Sequence, residues 1–405
     1  MRTIKLGIIR EGKIPVDKRV PFTPAQVSEI IYKFPHVEIF CQHSSIRSFS
    51  DLEYEQTGIK VVHDLSHCDL LMGIKEVPLN NLIDHKTYLF FSHTMKKQPH
   101  NRRLLQAILK KNITLIDYEA LTDAEGNRLV AFGRYAGIVG TYNCFWMIGK
   151  RYKNYSLRRA MDCIDYNDLK RELPKIKLPS QLRIVLTGSG RVGKGAEQIL
   201  SDVGVRKVNP DDFLNHSFDE PVYVQLRSRD YHVDKSGREF SSEEFHSAPE
   251  KFDSDFLKYA QVADVLINGA YWNPGAPRLF SREEMLDPSF KIKIIADISC
   301  DIDGSVPATI KATDVNDPVY DYNPFSHTAE PPFSNEKFIS IMAVDNLPCE
   351  LPRSASEDFG RGLIDRVLPS LIVEDNKGVI MRATIAKGGK LTARFAYLSD
   401  YITGH

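Results

Sequence analysis

Residues 183–187 form a compact apolar run, Arg-Ile-Val-Leu-Thr, that passes straight into Gly188-Ser-Gly190-Arg-Val-Gly193 and then into a helix-like stretch over 194–203. Three glycines at this spacing arise by chance in loops and also suit a purely structural turn. Between a strand and a helix their chemistry is more specific. Gly188 permits the tight turn, Gly190 lets a pyrophosphate reach the backbone, and Gly193 lets helix and strand pack closely, with the helix start facing the anion. The pattern predicts dinucleotide binding. In the usual arrangement the second strand ends in an acidic residue that holds a ribose hydroxyl. Read near 205–208, that strand ends here at Asn209, followed by Asp211 and Asp212, while Lys207, Arg227 and Arg229 are candidates for a 2'-phosphate. NAD and NADP both stay open, and an acid at position 209 is expected to favour NAD(H).

Earlier in the chain, Arg19, Lys75 and His93 each fall at or just past the end of an expected strand or loop, where ligand groups gather in α/β sheets. Taken singly, each also reads as a solvated base or a hydrogen-bonded histidine. As a set they offer a cation for a carboxylate and two groups able to move protons. The six cysteines, Cys41, Cys68, Cys144, Cys163, Cys300 and Cys349, show neither a CxxC pair nor a zinc-ligand spacing. Free buried thiols and no metal are expected.

The elements that must position these residues alternate between strand and helix. Strands are expected at 4–9, 37–40, 70–74, 88–91 and 113–116, with a helix between 101 and 110. Thr23, Pro24 and Gln26 predict a capped helix whose stripe is Val27, Ile30, Ile31 and Phe34. A long helix over 134–153 carries Gly137 and Gly140 on a small-residue side, suited to packing between two lobes. Beyond the glycine loop, strands are expected at 263–267, 292–298 and 339–344, then a helix capped by Ser354 and Glu357. The polar stretch 227–254 reads as an insertion rather than a disordered linker.

A chain of 405 residues has room for two domains, and 42% hydrophobic with 26% charged residues is the balance of a soluble globular protein. Lys plus Arg equals Asp plus Glu at 53 each, so no global basic field exists for nucleic acid or an anionic membrane. Residues 1–11 read as a strand rather than a secretion signal, and no apolar run approaches the roughly 18 residues of a membrane span. A cytoplasmic protein is expected.

Arg10-Glu11 through Arg19, Lys75-Glu76-Val-Pro78, Phe91-Ser-His93, Asp117-Tyr-Glu119 and Arg128-Leu-Val-Ala-Phe-Gly133 through Tyr135-Ala-Gly137 resemble the amino-terminal lobe of L-lysine-forming saccharopine dehydrogenases in order and spacing. Gly188-Ser-Gly-Arg-Val-Gly-Lys-Gly195, Leu266-Ile-Asn-Gly-Ala-Tyr-Trp272, Ala296-Asp-Ile-Ser-Cys300 and Asp345-Asn-Leu-Pro-Cys-Glu-Leu-Pro-Arg-Ser-Ala-Ser356 extend the resemblance through the second lobe. Residues 226–272 are most similar to the lysine-ketoglutarate reductase half of bifunctional lysine-degrading enzymes. Ending at 405, the chain is expected to lack their second, glutamate-forming half. Alanine dehydrogenase and the soluble part of transhydrogenase are more distantly similar.

The resemblance implies an α/β fold of two Rossmann-like domains separated by an active-site cleft, alanine dehydrogenase-like. Residues 1–133 would begin the substrate domain, 134–346 form the NAD(P)-binding domain, and 347–405 return to the first. It implies interconversion of lysine plus 2-oxoglutarate and saccharopine, with Lys75 and His93 as the acid-base pair and Arg19, Glu119 and Arg128 in the substrate pocket. Gly188, Gly190, Val192, Gly193, Asn268, Gly269, Asp297 and Asp345 would contact NAD or NADP, with Asn209 at the ribose. Saccharopine carries three carboxylates, and Arg19, Lys75 and Arg128 are expected to form a cationic pocket in which Arg19 lowers the pKa of Lys75. Two departures from the family pattern are Asn209, where an acid is usual, and Arg134, which has no assigned role. The alternatives are an alanine dehydrogenase using pyruvate and ammonia, and a non-catalytic nucleotide-binding sensor on the same fold.

Overall fold

Gln26 N donates to the Thr23 hydroxyl at 3.3 Å and Thr23 N donates back to the Gln26 side chain at 3.0 Å, so the helix Pro24–Lys33 starts at its capping box. It covers one face of an eight-stranded sheet. The computed structural model describes residues 3–404; Met1 and Arg2, where the reading of 1–11 begins, and His405 lie outside it. The chain forms two compact units, Met1–Phe132 with Pro352–His405, and Gly133–Leu351.

The first sheet runs in the order Lys60–Val62, Val37–Gln42, Ile4–Ile8, Leu70–Met72, Thr87–Phe90, Thr114–Asp117, Thr384–Lys387 and Lys390–Leu391. The first six are parallel, and the last two form an antiparallel hairpin on one edge. This is a doubly wound order whose switch point lies between Ile4–Ile8 and Leu70–Met72, where the connections leave in opposite directions and open a crevice at the carboxyl ends. The helix Pro352–Arg366 adds Phe359, Leu363 and Ile364 to the same core. Ser354 does not cap it. The helix opens two residues earlier at Pro352, whose fixed φ and missing N–H suit a first turn, and Ser354 lies buried inside.

The second sheet runs Thr328–Glu330, Val319–Asn323, Ile339–Met342, Ile294–Asp297, Val265–Asn268, Arg183–Thr187, Val222–Leu226 and Arg206–Val208. Its switch point lies between Arg183–Thr187 and Val265–Asn268, which pair in parallel. One strand is not where the sequence pattern puts it. Arg206–Val208 is the outer edge, and the buried run Val222–Leu226, which pairs residue for residue with Arg183–Thr187, occupies the place beside the glycine loop. The expectation took the next strand in sequence to be the next in space. Burial decides otherwise: an interior place selects Val-Tyr-Val-Gln-Leu over Arg-Lys-Val.

The helix Gly133–Tyr152 packs on the helix Arg191–Val203. A Cβ on Gly195 would sit 1.9 Å from the Arg134 carbonyl oxygen, and one on Gly137 2.0 Å from that of Val192. Its small-residue side is therefore taken up inside the second unit, a correction to the expected packing between lobes. Residues 227–254 are ordered, with the strands His232–Asp234 and Phe252–Ser254 pairing antiparallel and Phe240, Phe245 and Phe252 clustered. Four of the six cysteines are buried, and Cys300 and Cys349 are half-buried. Among the described residues no helix is long and apolar enough to cross a membrane.

Candidate active site

In the first unit every expected catalytic or substrate residue except Arg19 and Arg128 follows directly from a parallel strand's carboxyl end. Ile4–Ile8 leads to Glu11, Leu70–Met72 to Lys75 and Glu76, Thr87–Phe90 to His93, and Thr114–Asp117 to Glu119. Glu11 and Lys75 thus flank the switch point. Glu11 is buried and accepts Ile74 N at 2.7 Å and Lys75 N at 2.9 Å, locking the turn that carries Lys75. Burial first, and Asp17 second, push its carboxyl up to about 8.

His93 sits in a left-handed conformation at φ 52°, and its Nδ1 meets Glu76 Oε1 at 2.7 Å. Lys13 Nζ donates to the other Glu76 oxygen at 2.7 Å. Burial by itself would raise the Glu76 carboxyl, but the hydrogen bonds from His93 and Lys13 overcome it and hold the group down at about 2. An ionised Glu76 accepts the Nδ1 proton and leaves the His93 Nε2 lone pair for chemistry. The buried Asp117 organises the next turn: its carboxylate accepts Ser92 N at 3.0 Å, the Ser92 hydroxyl, and Glu119 N at 2.7 Å. One carboxylate therefore fixes both the residue before His93 and the turn that carries Glu119.

Two of the expected pocket cations arrive with carboxylate partners. Arg19 is 3% exposed and bidentate to Asp17, with Nη2 to Oδ2 at 2.6 Å and Nε to Oδ1 at 3.0 Å, while its guanidinium lies 4.1 Å from the Phe132 ring centroid. Arg128 Nη2 donates to Glu119 Oε1 at 2.8 Å, and Lys96 lies 3.4 Å from the same oxygen. Burial would raise Glu119, yet Lys96 and Arg128 together lower it. The cluster is charge-compensated rather than polycationic, which corrects the expectation of a strongly cationic pocket. Arg19, buried at this depth, requires a carboxylate beside it, and Arg128 and Lys96 share Glu119 nearer the surface.

In the second unit Gly188 adopts φ +90° and donates to Leu226 O at 2.9 Å. A Cβ on Gly193 would fall 2.2 Å from Gly188 O, whereas one on Gly190 would meet nothing within 4 Å. Gly190 caps the 13-residue helix Arg191–Val203 without a side-chain bond, so the helix start faces an open cradle. These residues fit a dinucleotide pyrophosphate. The floor is a buried network. Asn268 accepts from Thr187 at 2.6 Å and donates to Asp297 at 2.8 Å, Ser299 at 2.8 Å and Ser305 at 3.0 Å, while Asp297 also accepts Thr309 at 2.6 Å. Both side chains are turned into this network, where burial raises the Asp297 carboxyl. Gly269 lies against Val192, and Asp345 is exposed beyond the strand Ile339–Met342. Asn209, one strand too far out, caps the helix Pro210–Asn215 by accepting Asp212 N at 2.8 Å. Arg134 donates to Gln198 at 2.6 Å within the same unit.

A solved L-alanine dehydrogenase shares the fold at a TM-score of 0.64, with 15% identity and 99% of each chain covered. Alpha-aminoadipic semialdehyde synthase, mitochondrial, of Rattus norvegicus is 30% identical over 97% of this chain and 47% of its own length. The chain spans about half the length of this and similar curated relatives. Saccharopine dehydrogenase (NAD(+), L-lysine-forming) of Schizosaccharomyces pombe is 26% identical over 93% of this chain and 95% of its own. Residues 7–139 match the family described as alanine dehydrogenase/PNT, N-terminal domain. The family match thus covers the amino-terminal part of the chain, and the likeness to the solved L-alanine dehydrogenase shows that the fold is shared along its whole length.

On this fold the structure brings Lys75, Glu76 and His93 together through consecutive residues and one ion pair, and Glu119 with Arg128 through another. The positioning carboxylates Glu11, Asp17, Glu76 and Asp117 had no role assigned from the sequence. Their signal was present, since each stands in or beside a quoted motif, but a carboxylate's partner is a tertiary fact.

Proposed function

We propose that this chain is a nicotinamide-dependent oxidoreductase that interconverts lysine plus 2-oxoglutarate and saccharopine. The observation that carries the reading is the Lys75, Glu76 and His93 cluster at the carboxyl ends of the first sheet, beside its switch point. The near full-length similarity to a protein named as an L-lysine-forming saccharopine dehydrogenase supports it.

Condensing the lysine side-chain amine with the keto carbon of 2-oxoglutarate loses water. One proton must reach the carbinolamine oxygen and another must leave the nitrogen. His93 Nε2, oriented through Nδ1 by Glu76, and the Lys75 amine, set by the turn that Glu11 anchors, are the two groups assigned to these transfers. Arg128, held by Glu119, is assigned to a substrate carboxylate, and Arg19, with Asp17, forms the wall beside Phe132. A reduced nicotinamide supplies the hydride. Gly188, Gly190, Val192, Gly193 and Gly269 are the residues that would hold its dinucleotide, with Asp345 past the end of the strand Ile339–Met342 in the same sheet.

The test is oxidation of NADH or NADPH by the purified protein with lysine plus 2-oxoglutarate, against pyruvate plus ammonia. The reading expects turnover only when lysine and 2-oxoglutarate are both present. Faster turnover with pyruvate and ammonia replaces it with alanine dehydrogenase, and cofactor binding without turnover on either pair replaces it with a sensor.

A further inference from the structure

The strand exchange in the second sheet changes which residues stand beside the dinucleotide cradle. Val222–Leu226 pairs with Arg183–Thr187 up to Leu226 against Thr187, and Gly188 N donates to Leu226 O at 2.9 Å. Gln225 reaches across, its Nε2 donating to Gly188 O at 3.2 Å. The chain leaving this strand, Arg227-Ser228-Arg229-Asp230, therefore starts one residue from the glycine turn. In a doubly wound dinucleotide fold the adenosine ribose lies between that turn and the end of the adjoining strand, and the first side chains there read its 2' position.

Those side chains are basic. Arg227 and Arg229 are both exposed. The one carboxylate in the tetrapeptide, Asp230, is turned back on the chain: its Oδ2 accepts Arg227 N at 2.6 Å, while its Oδ1 lies 4.0 Å from Arg229 Nε. Lys207 is already neutralised by protein partners, donating to Glu197 at 2.6 Å and to Gln225 at 2.7 Å. Asp212 pairs with Asn209 beyond the outer strand. Asp230, the acid of this tetrapeptide, is thus held by its own backbone, while Arg227 and Arg229 stand exposed just past the end of the strand that adjoins the glycine turn.

We propose that Arg227, with Arg229 beside it, binds the 2'-phosphate of the adenosine ribose, so that this protein takes NADP(H) in preference to NAD(H). The inference rests on the dinucleotide reading of the glycine loop. A guanidinium matches a phosphate with two parallel N–H donors, and at an exposed strand end it does so without the desolvation a buried arginine would suffer.

The full chain is titrated with NADPH, NADH and adenosine 2',5'-bisphosphate, following binding by calorimetry without substrates. NADPH is expected to bind at least tenfold more tightly than NADH, with the difference shrinking as salt rises. Arg227→Ala is expected to weaken NADPH and the bisphosphate roughly ten- to a hundredfold. The double variant with Arg229→Ala should weaken them further, with NADH affinity and Tm unchanged in both. NADH binding as tightly as NADPH, or Arg227→Ala weakening both cofactors equally, overturns the proposal while leaving the dinucleotide site standing. If wild-type protein binds neither cofactor, the site itself fails and the proposal with it.

Discussion

Glu76 stands between Lys13 and His93 and fixes which imidazole nitrogen is offered to a substrate. His93→Gln and Lys75→Met are each expected to lower kcat by roughly 10²- to 10⁴-fold, the contribution of a positioned proton-transfer group, with cofactor affinity unchanged by calorimetry. Loss of cofactor binding alongside activity would make them structural instead. Glu76 also links the site to acid stability. Its folded carboxyl is depressed from 4.5 to about 2, so its contribution is present above the unfolded value and disappears as pH falls through the folded one. The shift corresponds to roughly 3 kcal/mol for this largely buried group. Tm measured from about pH 6 down to about pH 3 should fall less steeply for Glu76→Gln than for wild type, and parallel curves would remove the assignment. The sequence motif names Glu76 only as a neighbour of Lys75. Its hydrogen bond to a residue 17 positions away, on the end of another strand, is invisible until the sheet brings the two turns together.

Helices and strands follow the sequence pattern where its periodicity is strong. Arg183–Thr187 has the expected bounds, and the helix Pro24–Lys33 starts at its predicted cap. The misreadings share a cause. The small side of Gly133–Tyr152 announces a close helix crossing, but a glycine stripe does not name its partner, which is the helix after the glycine loop. Gly195→Ala should therefore drive a Cβ against the Arg134 carbonyl and cost about 1–3 kcal/mol, lowering Tm by roughly 2–10 °C. An unchanged melting curve would mean the crossing is looser than these positions imply. Likewise, a strand's chain order does not give its place in a sheet. Asn209 ends the outer strand and caps the next helix, a task aspartate performs equally well. Asn209→Asp is thus expected to leave both Tm and the ratio of NADPH to NADH affinity near wild type. A shift toward NADH would return the ribose to position 209.

At the scale of the whole molecule, the two units differ in how the chain builds them. Gly133–Leu351 is continuous, whereas the other unit needs Pro352–His405 to complete it. That segment supplies the strand Thr384–Lys387, which covers the edge at Thr114–Asp117, and the buried Phe359, Leu363, Ile364, Val367 and Leu368. Each such side chain contributes about 1.5–3 kcal/mol by burial, so a chain ending at residue 351 should lose the cooperative melting of the first unit. The excised 133–351 segment should still melt cooperatively and bind nucleotide. Two transitions in the shortened chain would show that the first unit stands without the segment. The amino-acid sequence by itself determined the α/β class, the glycine loop and the lysine and histidine at strand ends, because each is written in local order: apolar runs, turn residues and their spacing. Only the tertiary structure decided that Val222–Leu226 adjoins the glycine loop, that Arg19 and Arg128 carry carboxylate partners and that Glu76 orients His93. Those facts depend on which distant segments burial brings side by side, and local spacing holds no record of that choice.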